Sequence, residues 1–155
     1  MNTNINNVLD IDMSKMEFHL SDQLPFDEEG NVLINLGQGI LNNSYNEEQA
    51  ILKVQTQFVL IFTNEQIEVD PNINSIDDSF QGHDDYLVIR YNLYVELNDD
   101  SKDVGELISE ISFTKEIYAI LEPYIRQSIS YVFNQSNLPD PVLPYRYWEK
   151  FYDET

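Results

Sequence analysis

Residues 121–148 read LEPYIRQSISYVFNQSNLPDPVLPYRYW, and the first half of this stretch continues a helical pattern that starts near Lys115. Ile117, Ile120, Leu121, Tyr124, Ile125, Ser128, Ile129 and Val132 recur at spacings of three and four. That spacing lays them along one stripe of an α-helix. Thr114 is placed to cap its N-terminus. Pro123 lies inside the pattern and lacks a backbone donor, so it either kinks the helix or delays the start of its regular part. Residues 134–139 end the helix, and Pro139, Pro141 and Pro144 keep the next stretch extended. Tyr145, Tyr147, Trp148, Phe151 and Tyr152 then crowd a short terminal segment, long enough for one or two helical turns. A helix with so apolar a face needs something to lie on, and the residues upstream can supply it.

The clearest upstream signal is residues 86–97. Leu87, Ile89, Tyr91, Leu93, Val95 and Leu97 line one face of a strand, and Tyr86, Val88, Arg90, Asn92, Tyr94 and Glu96 the other. One face packs on a core and the other is half-wet, as in antiparallel sheets. Residues 49–63 alternate in the same way, with Leu52, Val54, Phe58, Leu60 and Phe62 on one face. The opposite face turns apolar at Val59 and Ile61, which predicts cover on both sides at that end. Residues 31–41 read as another strand, interrupted by Gly37 and Gly39, with a polar connection over 42–48. Residues 15–20 read as a short first strand, closed by Pro25 and a turn over Asp27–Gly30. Residues 1–10 and 153–155 are expected to fray. Residues 64–85 form a long acidic excursion at the sheet edge, in which Ile67 and Val69 could prolong the preceding strand. Residues 103–113 fit a helix or a strand, and the spacing favours the helix. Strands followed by helices indicate an α+β fold: a four-stranded antiparallel sheet with a long C-terminal helix and a short terminal helix packed on one side. The 155 residues read as a single domain.

Composition narrows the function. With 28 acidic against 8 basic side chains, the net charge is −20. Such a chain repels nucleic-acid backbones and anionic membrane surfaces. It suits a basic partner, or at the extreme an acidic nucleic-acid mimic that occupies a DNA-binding protein. There is no cysteine, so disulfides, thiolate metal sites and cysteine nucleophiles are excluded. The N-terminus lacks the charged start and apolar run of a signal peptide, and the densest apolar run, Phe58–Phe62, is far too short to span a bilayer. A soluble, cytoplasmic protein is the expectation.

Chemistry finds little to work with. No nucleophile elbow and no phosphate-cradling glycine loop is present. The stretch from Asp70 begins like an EF-hand loop, but Ser75 stands at the glycine position and Gln81 at the closing glutamate position. The twelve residues from Asp99 end at Glu110 but carry Val104 where glycine is required. His83 beside Asp84 and Asp85 has only His19 as a second histidine in the chain, too few for a dedicated zinc site. The expectation is a binding protein without catalysis, metal or cofactor.

One resemblance sharpens that expectation. Leu121-Glu122-Pro123-Tyr124-Ile125-Arg126 resembles the Phe-Pro-Tyr-Ala-Arg segment that starts the long helix of the SecB family of protein-export chaperones. Leu138-Pro139 and Val142-Leu143-Pro144, with aromatics a few residues on, resemble that family's tail. The matched positions Pro123, Tyr124, Arg126 and Pro144 are expected to be structural. The resemblance implies a dimer of dimers and an ATP-independent holdase for unfolded polypeptides. It also implies delivery to the SecA translocase motor. The excursion over 64–85 is longer than the family's turn, and Ile111–Ile120 replaces a lead rich in glycine and alanine. On this reading Phe58, Tyr86, Tyr94, Tyr145, Trp148 and Phe151 are the candidate client-binding residues. Tyr118, Tyr131 and Phe133 lie outside the main helical stripe and are the candidates for self-association. A dedicated adaptor with one specific partner is the alternative.

Overall fold

Residues 86–97 form a strand, as their alternation predicts, and that strand lies inside a sheet rather than at its edge. In the computed structural model, residues 4–70, 83–98 and 103–136 are described. The elements are β1 (Ile5–His19), β2 (Leu33–Asn46), β3 (Ile51–Thr63), β4 (Tyr86–Leu97), α1 (Val104–Ser109) and α2 (Ile111–Ser136). They fall into two compact units, one spanning Ile5–Asn98 and the other holding both helices.

In the sheet unit the four strands run in the order β1-β4-β3-β2, and every neighbouring pair is antiparallel. Strands β2, β3 and β4 are sequential neighbours. β1 pairs with β4, so the connection over 20–32 must pass from one edge of the sheet to the other. This is a Greek-key order. The long connection is held at two points. Near its start, Ser21 N–H and Oγ–H donate to Asp85 Oδ1 at 2.6 and 2.9 Å, and Asp85 is buried. Further on, Asp27 Oδ1 accepts from Glu29 N–H and Asn31 N–H at 2.9 and 2.8 Å. Gly30 closes that turn at φ +82°, a left-handed conformation that glycine adopts without steric cost.

The register sorts the side chains onto two faces. The first face carries Leu52, Val54, Phe58 and Leu60 of β3 opposite Val95, Leu93, Ile89 and Leu87 of β4, all buried. These cross-strand pairs remove the largest apolar groups of both central strands from water, at roughly 25 cal/mol per Å² of apolar surface. The second face is apolar only at one end, where Val59, Ile61, Tyr86 and Val88 cluster. Its other end is polar and carries Lys53, Gln55, Asn92 and Tyr94.

Several boundaries differ from the sequence reading. β1 begins at Ile5, not near Lys15, so residues 5–10 are paired rather than frayed. Its alternation is broken by irregularities between Ile5 and Asn7, Val8 and Asp10, and Met13 and Lys15. Each extra residue on an edge strand shifts the apolar positions to the other parity and hides the period. β2 runs on to Asn46, so the polar stretch 42–46 is strand, not connection. An edge strand tolerates polar side chains where it faces water. Residues 64–70 neither prolong β3 nor run out from the sheet edge; Ile67 and Val69 pack on the second face, and residues 71–82 of the acidic stretch lie outside the described residues.

In the helical unit, Asp103 caps α1, its Oδ1 accepting from Gly105 N–H at 2.8 Å. The favoured helix over 103–113 is present but broken. Glu110 is extended, and α2 starts at Ile111. Glu110 O accepts from Phe113 N–H and Thr114 N–H, so Thr114 lies within the first turn and is not the cap. α2 continues through Pro123 to Ser136. Its buried residues are Phe113, Ile117, Tyr118, Leu121, Ile125, Ser128, Ile129, Val132 and Phe133.

Candidate functional site

The second face of the sheet gathers the unusual features. Asn35 of β2 is buried, and its side chain makes three hydrogen bonds. Nδ2 donates to Ile61 O at 3.1 Å and to Thr63 Oγ1 at 2.7 Å, and Oδ1 accepts from Ile67 N–H at 3.0 Å. A buried amide with both ends satisfied can hold a segment in one place. Here it fixes the chain just after β3, so that Ile67 and Val69 lie against Val59, Ile61, Tyr86 and Val88. Gly37 completes the seat. A Cβ there would come within 2.7 Å of Val69 Cγ1, so only glycine admits that side chain. The glycine that reads as a weak point in a strand is a receptor for Val69.

Beside this strap, Pro25, Phe62, Thr63, Ile67, His83 and Asp84 line an open cleft of about 240 Å³. Tyr86 stacks on His19 and donates its hydroxyl to Glu17 Oε1 at 2.7 Å. Further along the same face lie Lys15, Lys53 and Arg90, the only lysines and arginines between residues 5 and 98. Lys15 pairs with Glu17 at 3.3 Å, Lys53 sits 5.7 Å from the Tyr94 ring, and Arg90 Nε donates to Gln57 Oε1 at 2.7 Å. Among the described residues, two buried amides are under-satisfied: Gln38, at both polar side-chain atoms, and Asn92, at Oδ1.

Among the described residues, large apolar side chains are exposed at the sheet edges, on the connection between β1 and β2, and on α2, where Ile111 opens the helix 49% exposed. Leu9 and Met13 of β1, Leu33 and Ile34 of β2, and Phe26 of the connection are exposed. On α2, Tyr124 and Tyr131 are exposed seven residues apart, which places them on one side of the helix.

The residues singled out in the sequence separate. Phe58 is buried on the first face and Tyr86 on the second, whereas Tyr94 is half-buried on the second. The three do not form one surface. Tyr118 and Phe133 are buried, which removes them as self-association residues, whereas Tyr131 is 63% exposed. The apolar stripe of α2 is broader than its central line, and both of its flanks are occupied by large apolar groups. Tyr124, assigned to the stripe, is 45% exposed. Arg126 binds Glu122 one turn earlier through Nε and Nη2 at 3.1 and 2.8 Å, a contact within the helix itself. Pro144, Tyr145, Trp148 and Phe151 lie outside the described residues. Asn35 was not singled out, and Gly37, Ile67 and Val69 were read only for strand continuity, not as a site. The signals were small and polar residues at alternate positions in Asn35-Leu36-Gly37 and the apolar alternation of Ile67-Glu68-Val69.

Among the described residues, no three His, Asp or Glu side chains converge as a metal-binding group. No helix among them is long and apolar enough to cross a membrane. The arrangement offers apolar strips bordered by hydrogen-bonding groups, the chemistry of binding an extended chain.

The fold has a solved counterpart. A SecB-like chaperone of Mycobacterium tuberculosis, solved in complex with a ChAD peptide from the HigA1 antitoxin, superposes with a TM-score of 0.59 at 13% sequence identity. The match covers 90% of this chain and 88% of that one. No family model and no curated protein matches the sequence. The likeness establishes a SecB-like fold: a four-stranded antiparallel sheet followed by a short helix and a long one.

Proposed function

We propose that this chain is a SecB-like, ATP-independent chaperone that binds non-native polypeptides, the full 155 residues acting as one domain. The observation that carries this reading is the fold, which it shares over 90% of its length with a chaperone solved with a peptide bound. The exposed apolar residues at both sheet edges supply contacts that need no particular client sequence. The net charge of −20 keeps a loaded complex soluble and favours a basic acceptor, in the manner that the resemblance implies for SecA. Self-association as a dimer of dimers belongs to the same reading, with Tyr131 as the remaining candidate contact on α2.

The complexed state of the structural counterpart favours a second reading. That chaperone was solved with a peptide of one particular protein, so this chain could equally serve one dedicated client. One experiment separates the two. A chemically unfolded model protein is diluted with and without an equimolar amount of this chain, and light scattering follows aggregation. Suppression across several unrelated clients, without ATP, supports the general chaperone. A folded protein that suppresses none of them refutes that reading and leaves the dedicated one.

A further inference from the structure

The strap over residues 65–70 behaves as a ligand that happens to be covalently attached. It presents alternate residues, Ile67 and Val69, to a preformed apolar strip, and the residues between and beside them, Gln66, Glu68 and Asp70, are exposed, as is Glu65 one position further back. The strip itself is far better buried than its cover. Val59, Ile61 and Val88 are 0% exposed and Tyr86 is 1% exposed, while Ile67 and Val69 remain half-buried. One end of the strap is held through Asn35 and the other drops Val69 into the space left by Gly37. An extended segment with side chains alternately buried and exposed is how a bound peptide lies on a sheet.

We propose that the strip formed by Gly37, Val59, Ile61, Tyr86 and Val88 is a binding site for an extended polypeptide segment of apolar–basic–apolar pattern, which the strap occupies in the free protein. This rests on the reading above that the chain binds polypeptides, and it names one surface for doing so. The basic preference follows from charge. The strap places three carboxylates over the strip, Glu17 lies at its Tyr86 end, Asp84 and Asp85 line the cleft beside Ile67, and the cations further along that face, Lys15 and Arg90, are engaged by Glu17 and Gln57, in a chain of net charge −20. A segment carrying lysine in those three positions keeps the apolar fit and exchanges repulsion for attraction. The strap's tether gives it a high effective concentration, so an untethered competitor must fit better to displace it. The same tether makes release reversible.

The test uses the full chain and two fluorescent synthetic peptides. One copies residues 63–70, TNEQIEVD, and the other is its basic counterpart, TNKQIKVK. Anisotropy titrations compare the unaltered protein with the double variant I67S/V69S and with Val69→Ser alone, both of which weaken the strap without touching the strip. Both variants are expected to bind the basic peptide at least about tenfold more tightly than the unaltered protein, and the acidic peptide less tightly than the basic one. Amide shifts in NMR spectra are expected at Val59, Ile61 and Val88. If the double variant fails to fold, Val69→Ser alone carries the test. Folded variants that bind neither peptide more tightly, or shifts confined to other residues, overturn the proposal. Aggregation suppression is measured on the same samples. If it persists while the strap variants gain nothing, this inference fails alone. If the variants gain peptide binding while no sample suppresses aggregation, the strip stands and the general chaperone does not.

Discussion

Replacing Asn35 by alanine tests whether one buried amide organises the second face of the sheet. The substitution removes three hydrogen bonds, to Ile61 O, Thr63 Oγ1 and Ile67 N–H, with lengths of 3.1, 2.7 and 3.0 Å. Each contributes about 0.5–1.5 kcal/mol net, and a donor left buried without an acceptor costs about 1–3 kcal/mol. Ile67 is half-buried, so its freed N–H regains some water, and Thr63 Oγ1 keeps Glu65 O as an acceptor. The expected loss is therefore about 2–3 kcal/mol rather than the sum of the extremes. Part of that loss is local, because the strap can lift while the sheet stays paired. Urea unfolding followed by circular dichroism should show a lower midpoint with an unchanged slope. Amide exchange should show Ile67 losing at least about tenfold in protection while Leu60, in the central strand, changes only with global stability. A stability change below about 0.5 kcal/mol together with unchanged exchange at Ile67 would refute the clamp, since surface-like positions give changes of that size.

Three further outcomes follow from other parts of the structure. Asp85→Ala should destabilise by about 1.5–3 kcal/mol in the same urea assay, because its carboxylate receives Ser21 N–H and Oγ–H while buried, and Ser21→Ala should cost less because the N–H contact survives. Leu121→Ala, fully buried on α2, should cost about 2–5 kcal/mol, whereas Tyr131→Ala should leave monomer stability within about 0.5 kcal/mol and instead lower the mass measured by light scattering if Tyr131 joins subunits. Pro123→Ala should raise stability by up to about 3 kcal/mol, because the exposed proline sits within a continuous helix; a loss would mean that proline shapes the helix in a way its own continuity does not reveal.

The acidic excess and the absence of cysteine were decided by the sequence alone, and so was the α+β class. Periodicity is local: an alternation of two locates β3 and β4, and a spacing of three and four locates α2, because each pattern reports which side of one element avoids water. The cover at Val59 and Ile61 was legible for the same reason, since apolar groups on both faces of one strand require two partners. Tertiary structure decided what local patterns cannot hold. The edge strand β1 hides its period in three irregularities, and only its pairing with β4 brings them to light. Gly37 and Val69 lie 32 positions apart, as do Asn35 and Ile67, and nothing in either stretch reports the other. Their meeting depends on the chain turning back across a finished sheet. A glycine that looks like a defect in a strand is a seat once the strap arrives, and an alternation buried in an acidic loop becomes a contact only when there is a surface beneath it.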